Sequence, residues 1–168
     1  MEKKFILTDK FVINSFGIKL FQIKCTKSFK YAQKGDFGGY VEKEGNLDQK
    51  NDAWVSGNAW VSGNARVFGN ARVSGDARVS GNAWVSGDAD IENDNEHCGF
   101  DGFGSCNRHT HAYMTKEKKV EIICGCFRGS IEEFEKKVEE THSGTVYEKQ
   151  YKSIINVIKI KFGLTDFT

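Results

Sequence analysis

A single six-residue unit is repeated seven times between Asp52 and Ile91. Written from its aliphatic residue, the unit reads Val-Ser-Gly-Asn/Asp-Ala-Trp/Arg, and it changes little from one copy to the next. An α-helix needs apolar residues with a period near 3.6, and a glycine in every unit would cost it about 1 kcal/mol each time. A period of six with glycine at a fixed position is instead typical of a parallel β-helix. The repeat therefore predicts a coil of very short strands.

The positions within the unit indicate how such a coil is built. Residues two apart on a strand point to the same side, so Ala53 and Val55 both face the interior. Glycine followed by Asn or Asp turns each corner, because these residues tolerate left-handed backbone conformations. The aliphatic position is occupied by Val55, Val61, Val67, Val73, Val79, Val85 and Ile91. We expect these side chains to fill a narrow core together with the alanines.

The repeat resembles the hexapeptide repeat of left-handed parallel β-helices, in which three hexads make one triangular turn. This resemblance implies that residues 18 apart stack on adjacent rungs, about 4.8 Å apart. The Trp/Arg position then forms three outward columns, and each column pairs a tryptophan with an arginine. The columns are Trp54–Arg72–Asp90, Trp60–Arg78 and Arg66–Trp84. A cation–π contact in a column contributes about 0.5–1 kcal/mol when exposed.

The coil is short, and its open ends need caps. Residues 51–92 supply a little over two turns, and Val41 with Leu47 adds a third, irregular turn. We expect the flanking segments to cover the ends. Exposed tryptophans at positions 54, 60 and 84 would be buried by self-association, so the sequence predicts a homo-oligomer, with a trimer favoured.

The flanks divide the chain into three parts, and the predicted fold is mainly β. Residues 1–40 form an N-terminal β segment, residues 41–92 the hexapeptide-repeat β-helix, and residues 93–168 a C-terminal α+β unit of ββαα type. In that last unit, a polar loop precedes a β-hairpin formed by "HTHAYMT" and "KVEIICGCF". Ser130 and Glu133 have capping-box spacing at the start of the first helix, and a second helix is expected near 146–162.

Composition excludes several kinds of partner. The chain has 24 Lys and Arg against 23 Asp and Glu, without a basic block that would favour a nucleic acid polymer or a membrane surface. No segment is long and apolar enough to span a bilayer. Asp9 and Lys10 interrupt the first apolar run, so no signal-peptide core is predicted. The five cysteines are therefore expected to be reduced thiols in a cytoplasm.

Two donor-rich elements of the last unit are the predicted ligand site. The glycine-rich loop "GFDGFGSCNRHT" offers backbone N–H groups, hydroxyls, an amide and a guanidinium, which suit phosphate oxygens. The start of the first helix offers free N–H groups to an anion. The predicted ligand-binding residues are Ser105, Asn107, Arg108, His109, Thr110, Arg128 and Ser130. In the alternative, Ser130 only caps its helix and Arg108 pairs with a carboxylate of the same unit.

A zinc site is a second hypothesis for the same region, because seven histidines and cysteines fall within thirty residues. They are His97, Cys98, Cys106, His109, His111, Cys124 and Cys126. The region lacks the C-x-x-C spacing that makes a structural zinc site convincing, and buried thiols explain the cysteines equally well. The sequence therefore predicts neither a metal nor a cofactor.

Several longer stretches resemble a group of small hexapeptide-repeat proteins of bacteriophages and prophages, which are often described as polymer-forming or acyltransferase-like. The stretches are "KGDFGGYVEKEGNL", the N-A-x-V-x-G hexads, "GS-N" at 104–107 and "CGCFRGSIEEFEKKVEETH". The resemblance implies a phage-type protein in a bacterial cytoplasm. Together with the loop chemistry, it favours a non-catalytic protein that sequesters a nucleotide-type signal of host immunity.

Two other functions stay open from the sequence. One is a structural or oligomerisation β-helix protein without a ligand, and the other is a hexapeptide acyltransferase. The acyltransferases resemble this chain in their coil, but they usually have longer coils and a histidine base near a cleft between subunits. None of the four histidines here lies in the repeat, and no Ser-His-Asp order is evident. We therefore expect no enzymatic activity.

Overall fold

A computed structural model describes residues 2–165 of the chain. The fold is mainly β with two helices, and the repeat forms a β-solenoid. The chain divides into two compact units, Met1–Asp94 and Asn95–Thr168. The N-terminal strands belong to the same unit as the coil. Among the described residues, no helix is both long and apolar enough to cross a membrane.

Three strands precede the repeat: β1 (Phe5–Ile13), β2 (Lys19–Cys25) and β3 (Phe37–Val41). β2 pairs antiparallel with both β1 and β3, and β1 and β2 form a long hairpin whose turn spans residues 14–18. The pairing of β1 with β2 shifts register between Leu7 and Phe11. A 3-10 turn at Glu44–Asn46 then leads into the repeat.

Each hexad contributes one two-residue strand. These strands are β4 (Trp54–Val55), β5 (Trp60–Val61), β6 (Arg66–Val67), β7 (Arg72–Val73), β8 (Arg78–Val79), β9 (Trp84–Val85) and β10 (Asp90–Ile91). They pair in parallel with strands 18 residues away, as β4–β7–β10, β5–β8 and β6–β9. The predicted stacking register is confirmed. Every valine and alanine of the repeat is buried, so the interior is a column of small apolar side chains.

The third, irregular turn is also present. Val41 of β3 pairs with Val61 of β5, and Leu47 bridges to Val67. These two aliphatic side chains are 0% and 2% exposed, so they extend the coil interior by one rung on two of its sides. The N-terminal β segment is therefore continuous with the coil.

Three alanine carbonyls in the first full turn of the coil have no preceding hexad to donate a backbone hydrogen bond to them. Three different donors from the preceding segment take that place. These bonds are Lys4 Nζ to Ala53 O (2.7 Å), Tyr40 N to Ala59 O (2.9 Å) and Asn46 Nδ2 to Ala65 O (2.8 Å). Lys4 also donates to the carbonyls of Lys50 and Asn51 and is 5% exposed. An unpaired buried carbonyl is costly, so these bonds form the cap that the short coil requires.

The Trp/Arg columns differ in what their side chains contact. The guanidinium of Arg78 lies 5.0 Å from the ring centroid of Trp60, which is the predicted cation–π contact. Trp54 is instead 3% exposed and packs edge-on against Phe29 at 5.3 Å, so the prediction that Trp54 is exposed is wrong. Trp84 is 45% exposed. The N-terminal segment, which the repeat pattern does not describe, accounts for this difference.

The C-terminal unit contains four antiparallel strands and two helices. They are β11 (His97–Phe103), β12 (Arg108–Met114), β13 (Val120–Cys124), β14 (Phe127–Ser130), α1 (Ile131–His142) and α2 (Val146–Lys161). The strands pair in chain order, so the predicted ββαα unit lacked β11 and β14. The sequence pattern predicts a polar loop over β11 because the glycines and Asp101 of this strand obscure the alternation of polar and apolar residues. β14 is only four residues long.

One face of this sheet packs against the helices. Its buried cluster includes Ala112 and Ile122 of the sheet with Phe134, Ile155 and Ile158 of the helices. The opposite face carries the side chains that alternate along each strand with the helix-facing ones. It includes His97, His111, Tyr113, Glu121 and Arg128, as the strand register shows. The two faces determine which of the predicted site residues lie together.

Candidate functional site

A pocket of about 210 Å³ lies on the helix-packed side of the C-terminal unit. It is bounded by the start of β12, the β13–β14 turn, the last turns of α1 and the second turn of α2. Its lining residues are Arg108, Cys124, Cys126, Phe127, Phe134, Lys137, Val138, Thr141, His142 and Tyr151. The volume is below the range of about 300–1,000 Å³ that is usual for pockets of drug-sized ligands. The pocket therefore matches a small anion or one portion of a larger ligand.

Arg108 is the most important lining residue. Its side chain is exposed and makes no salt bridge with a carboxylate in the described part of the chain. It runs across the β13–β14 turn at Gly125, where an added Cβ would lie 2.6 Å from Nη1. Gly125 has φ +60°, so this glycine both permits the turn and leaves room for the guanidinium. Any other residue here would displace Arg108.

The floor of the pocket is aromatic. The rings of Phe127 and Phe134 are 5.0 Å apart, and Phe134 meets Tyr151 edge-on at 5.5 Å. His142 stacks on Tyr151 with centroids 5.5 Å apart and an interplanar angle of 28°. Offset and edge-on rings of this kind hold one another in place. Phe134 and Tyr151 are buried beneath this surface, so the partly exposed rings of Phe127 and His142 are the ones that a flat ligand could contact.

Tyr151 connects this floor to the buried interior. Its hydroxyl lies 3.7 Å from the thiol of Cys124, which accepts a hydrogen bond from the Thr110 hydroxyl at 3.2 Å. Burial, and then the contact with Cys124, raises the pKa of Tyr151 well above its usual value. A phenol is neutral at physiological pH even with its usual pKa, so this edge of the pocket carries no negative charge.

The charge of the lining is positive. Lys137 lies on α1 beside the pocket and reaches Glu140 at 3.6 Å, a long contact between two exposed side chains. His142 ends α1 and also lines the pocket. No lining residue within the described chain is a carboxylate. Arg108, Lys137 and His142 thus surround an aromatic floor, which suits an anion attached to a flat group.

The predicted residues of the glycine-rich loop are distributed differently. Ser105 and Asn107 are exposed in the β11–β12 turn, where Asn107 has φ +47°. Thr110 is fully buried, so it cannot contact a ligand directly. His109 projects to the other face, where its Nδ1 lies 2.8 Å from Asp101 Oδ1. Of this loop, only Arg108 lines the pocket.

The predicted convergence of the loop with the start of α1 is wrong. Thr110 pairs with Cys124 and Ile123 pairs with Arg128, so the side chains of Arg108 and Arg128 lie on opposite faces of the sheet. The Nε of Arg128 donates to Glu121 Oε1 at 2.7 Å. Ser130 accepts a hydrogen bond from the backbone of Glu133 and donates to Glu132, as in the capping alternative. Two carboxylates thus occupy the first turn of α1 and compete with any anion.

The histidines and cysteines do not converge as a zinc site would require. His97 Nδ1 and His111 Nε2 lie 3.1 Å apart on the face opposite the helices, whereas Cys124 faces the helices. No group of three or more His, Cys, Asp or Glu side chains among residues 2–165 is arranged to hold a metal ion. All five cysteines are free, and burial raises the pKa of Cys98 to about 11.

Several lining residues were not predicted from the sequence. Phe134, Lys137, Val138 and Thr141 occur at helical spacing on α1, and Tyr151 lies on α2. The amphipathic pattern of α1 identified Phe134 and Val138 as core residues, but Lys137 and Thr141 resemble ordinary surface positions. Only the packing of α1 against the β13–β14 turn shows that they flank Arg108.

Comparison with known proteins supports the solenoid. Residues 59–75 and 71–87 match the family model described as the YdcK beta solenoid repeat. The match lies within the hexapeptide coil and does not extend to the pocket. No curated protein matches the chain.

Proposed function

We propose that the protein is a non-catalytic binding protein that holds a small phosphate-bearing ligand in the Arg108 pocket. The observation that carries this proposal is the guanidinium of Arg108, which has no carboxylate partner in the described chain and lies beside Lys137 and His142. A guanidinium fork matches two phosphate oxygens, and each such charge-assisted bond is stronger than a neutral one. A cation without an internal partner can bind an external anion without losing an existing ion pair.

The aromatic floor favours a ligand of nucleotide type. A base or similar ring can pack on the partly exposed rings of Phe127 and His142 while its phosphate contacts Arg108. The pocket volume of about 210 Å³ accommodates only part of a large nucleotide. The rest of the ligand would then extend over the exposed turn that contains Ser105 and Asn107. These two predicted contacts therefore remain part of the proposed site.

Binding without turnover follows from the same lining. The phenol of Tyr151 is protonated at physiological pH, as an ordinary tyrosine is, and burial raises its pKa further. Among the lining residues that the structure describes, no hydroxyl or thiol is hydrogen-bonded to a histidine or carboxylate base. A nucleophile needs such a base to be activated. A ligand held by donors alone would be returned unchanged.

The biological role proposed for this binding rests on the resemblance to phage-type hexapeptide proteins. In that role, the protein sequesters a nucleotide signal of host immunity in a bacterial cytoplasm. The proposal also includes a left-handed coil and a homo-oligomer, with a trimer favoured. The parallel register of 18 residues supports three hexads in each turn. A structural β-helix protein without a ligand is the alternative.

The test compares two neighbouring lysines and one arginine. Linear and cyclic nucleotides are titrated into the full chain by calorimetry, and the bound material is then released by denaturation and identified by mass spectrometry. Arg108→Ala should weaken binding about tenfold or more, because a hydrogen bond to a charged group contributes roughly 1.5–3 kcal/mol. Lys137→Ala should weaken it to a smaller extent, whereas Lys136→Ala, an exposed position outside the pocket, should not.

The outcomes separate the three functions. Recovery of intact nucleotide with the expected order of variants supports a binding protein. Conversion of the nucleotide would show an enzyme. The absence of any retained nucleotide would leave the structural alternative. Equal effects of the Lys136 and Lys137 substitutions would show that general surface charge, and not the pocket, attracts the ligand.

A further inference from the structure

We propose that the N-terminal unit has a second ligand site, centred on Arg78, for a carboxylate or phosphate that is attached to a small apolar group. The site is a groove of about 250 Å³ between the β1–β2 turn and one side of the coil. Its lining comes from residues 14–16 and 18 of the turn and from residues 60, 62–63 and 78–81 of the coil. This proposal is independent of the Arg108 pocket.

Arg78 is held in place but is not neutralised. Its guanidinium lies over the indole of Trp60 at 5.0 Å, and it makes no salt bridge within the described chain. The carboxylate of Asp94 accepts a hydrogen bond from the backbone N–H of Arg78 at 2.7 Å and does not pair with its side chain. Stacking fixes the plane of the guanidinium and leaves its N–H edge available. An oxyanion that binds this edge therefore loses little side-chain entropy.

The β1–β2 turn supplies the apolar wall. Phe16 is 87% exposed, the largest exposure among the large apolar side chains of the described residues, and it lines the groove with Ile18. The turn is ordered by Asn14, whose Oδ1 accepts hydrogen bonds from the backbone of Phe16 at 3.0 Å and of Ile18 at 2.9 Å. Phe16 is thus held beside the groove although nothing in the described chain covers it. A ligand with an apolar group would bury this ring.

Polar groups complete the groove. Ser62 and Ser80 are among its lining residues. The side-chain oxygen of Asn14 accepts two hydrogen bonds of the turn, so its amide nitrogen is left to donate. One cation, a few neutral donors and one aromatic wall specify a ligand with a single charged head. The Arg108 pocket differs, because one lysine, Lys137, and one histidine, His142, accompany its arginine.

The repeat provides a matched control for Arg78. Arg66 occupies the same position of an earlier hexad and is also exposed, but Asp48 lines the groove at Arg66. The probes are benzoate and phenyl phosphate, which combine an oxyanion with a ring, and acetate and inorganic phosphate, which lack the ring. Binding is measured by calorimetry and by tryptophan fluorescence on the full chain, in an Arg108→Ala background so that the other pocket does not contribute.

We expect phenyl phosphate and benzoate to bind more tightly than inorganic phosphate and acetate. Arg78→Ala should weaken the ring-bearing probes about tenfold or more, and Arg66→Ala should leave them unchanged. Arg78→Lys keeps the charge but not the planar fork, so its affinity for the ring-bearing probes should lie between that of the unsubstituted Arg78 protein and that of Arg78→Ala. Phe16→Ser should reduce phenyl phosphate binding to the level of inorganic phosphate. A preference for phenyl phosphate over benzoate would identify the head group as phosphate, and the reverse would identify it as carboxylate.

Three results would overturn the proposal. The first is equal weakening by Arg78→Ala and Arg66→Ala, which would indicate general charge. The second is equal affinity for probes with and without a ring. The third is unchanged binding in both Arg78 variants when circular dichroism shows that they are folded. Because Arg78→Lys retains the stacked cation, its result can be interpreted even if Arg78→Ala is unstable.

Discussion

An arginine side chain binds an external anion at the lowest cost when no carboxylate of its own chain is already paired with it. Arg72 reaches Asp90 at 3.8 Å and Arg128 binds Glu121, whereas Arg108 and Arg78 have no such partner in the part of the chain that the structure describes. The sequence predicted both Arg108 and Arg128 as ligand-binding residues. It could not separate them, because the difference depends on the face of the sheet that each side chain occupies.

The Trp/Arg columns allow a test at the level of single residues. Arg78→Ala and Trp60→Ala should be coupled by about 0.5–1 kcal/mol in a double-mutant cycle, since their side chains stack. Arg72→Ala and Trp54→Ala form the control, because Trp54 packs on Phe29 and Arg72 reaches Asp90. That second cycle should show little coupling. Urea denaturation of the four single and two double variants measures both values, and equal coupling would contradict the assigned contacts.

Lys4 gives a prediction of pH dependence. Burial lowers the pKa of Lys4 from 10.5 to about 8, although three carbonyls hold its ammonium. Below about pH 8 the amine is protonated in both the folded and the unfolded state. Between about pH 8 and 10.5 only the unfolded state binds the proton, so this residue makes the free energy of unfolding rise with pH, by at most about 1.4 kcal/mol per pH unit.

The measurement is urea denaturation of the wild type and of Lys4→Met from pH 7.5 upward. All other titrating groups are the same in both proteins, so their effects cancel in the difference. The difference in unfolding free energy, wild type minus variant, should rise through this range. Parallel pH curves would show that the Lys4 ammonium is not buried. Nitrogen NMR of the Lys4 amine in the wild type gives its pKa directly if the variant is too unstable to compare.

The coil is the element that the sequence predicts best. Each hexad has the same side-chain requirement, so the repeat itself indicates strand length, interior residues and corner glycines. The caps could not be inferred in the same way, because Lys4, Tyr40 and Asn46 contact the first turn from sequence distances that follow no period. The C-terminal sheet was half predicted. Its strand β11 contains glycines that weaken the local strand signal, and cross-strand pairing with β12 stabilises it instead.

Alanine substitutions at two corner glycines distinguish the cost of backbone strain from the cost of a steric clash. Gly75 has φ +60° and Gly81 has φ +67°, so alanine at either position is strained by about 1–2 kcal/mol. An added Cβ at Gly75 would overlap the carbonyl oxygen of Glu92, whereas at Gly81 it meets nothing within 4 Å. Gly81→Ala should therefore lose about 1–2 kcal/mol of stability, and Gly75→Ala should lose clearly more. Chemical denaturation followed by tryptophan fluorescence checks this, and equal losses would contradict the stacking of Gly75 on the last turn.

At the scale of the whole molecule, the chain places two arginine-centred pockets in two separate units. Each pocket forms where a regular element meets a segment that does not share its pattern. In the N-terminal unit this segment is the β1–β2 turn, and in the C-terminal unit it is the β13–β14 turn. Regular elements can be predicted from periodicity, but these meeting points cannot. The two proposed sites are therefore harder to predict from the sequence than the coil, which forms one side of the Arg78 groove.

The last prediction concerns assembly, which we propose from the exposed apolar surface of the coil. Trp54 is buried and Trp60 is partly covered. Trp84 is 45% exposed and meets Phe68 edge-on, with ring centroids 6.1 Å apart. Of the three tryptophans, Trp84 is therefore best placed to pack against another copy of the chain. Burial of such a surface contributes about 25 cal/mol for each Å² of apolar area. Light scattering at micromolar concentration should give about three times the chain mass of 18.9 kDa.

Trp84→Ser should shift this assembly towards monomer, because it removes the largest exposed ring of the coil while leaving the buried core unchanged. Arg66→Ala is the control, since Arg66 lies in the same column but contributes charge and little apolar area. It should leave the mass unchanged. A wild-type protein that is monomeric at these concentrations would contradict the prediction. A trimer that persists in Trp84→Ser would place the interface elsewhere, and the exposed Phe37 and Ile13 would be the next positions to substitute.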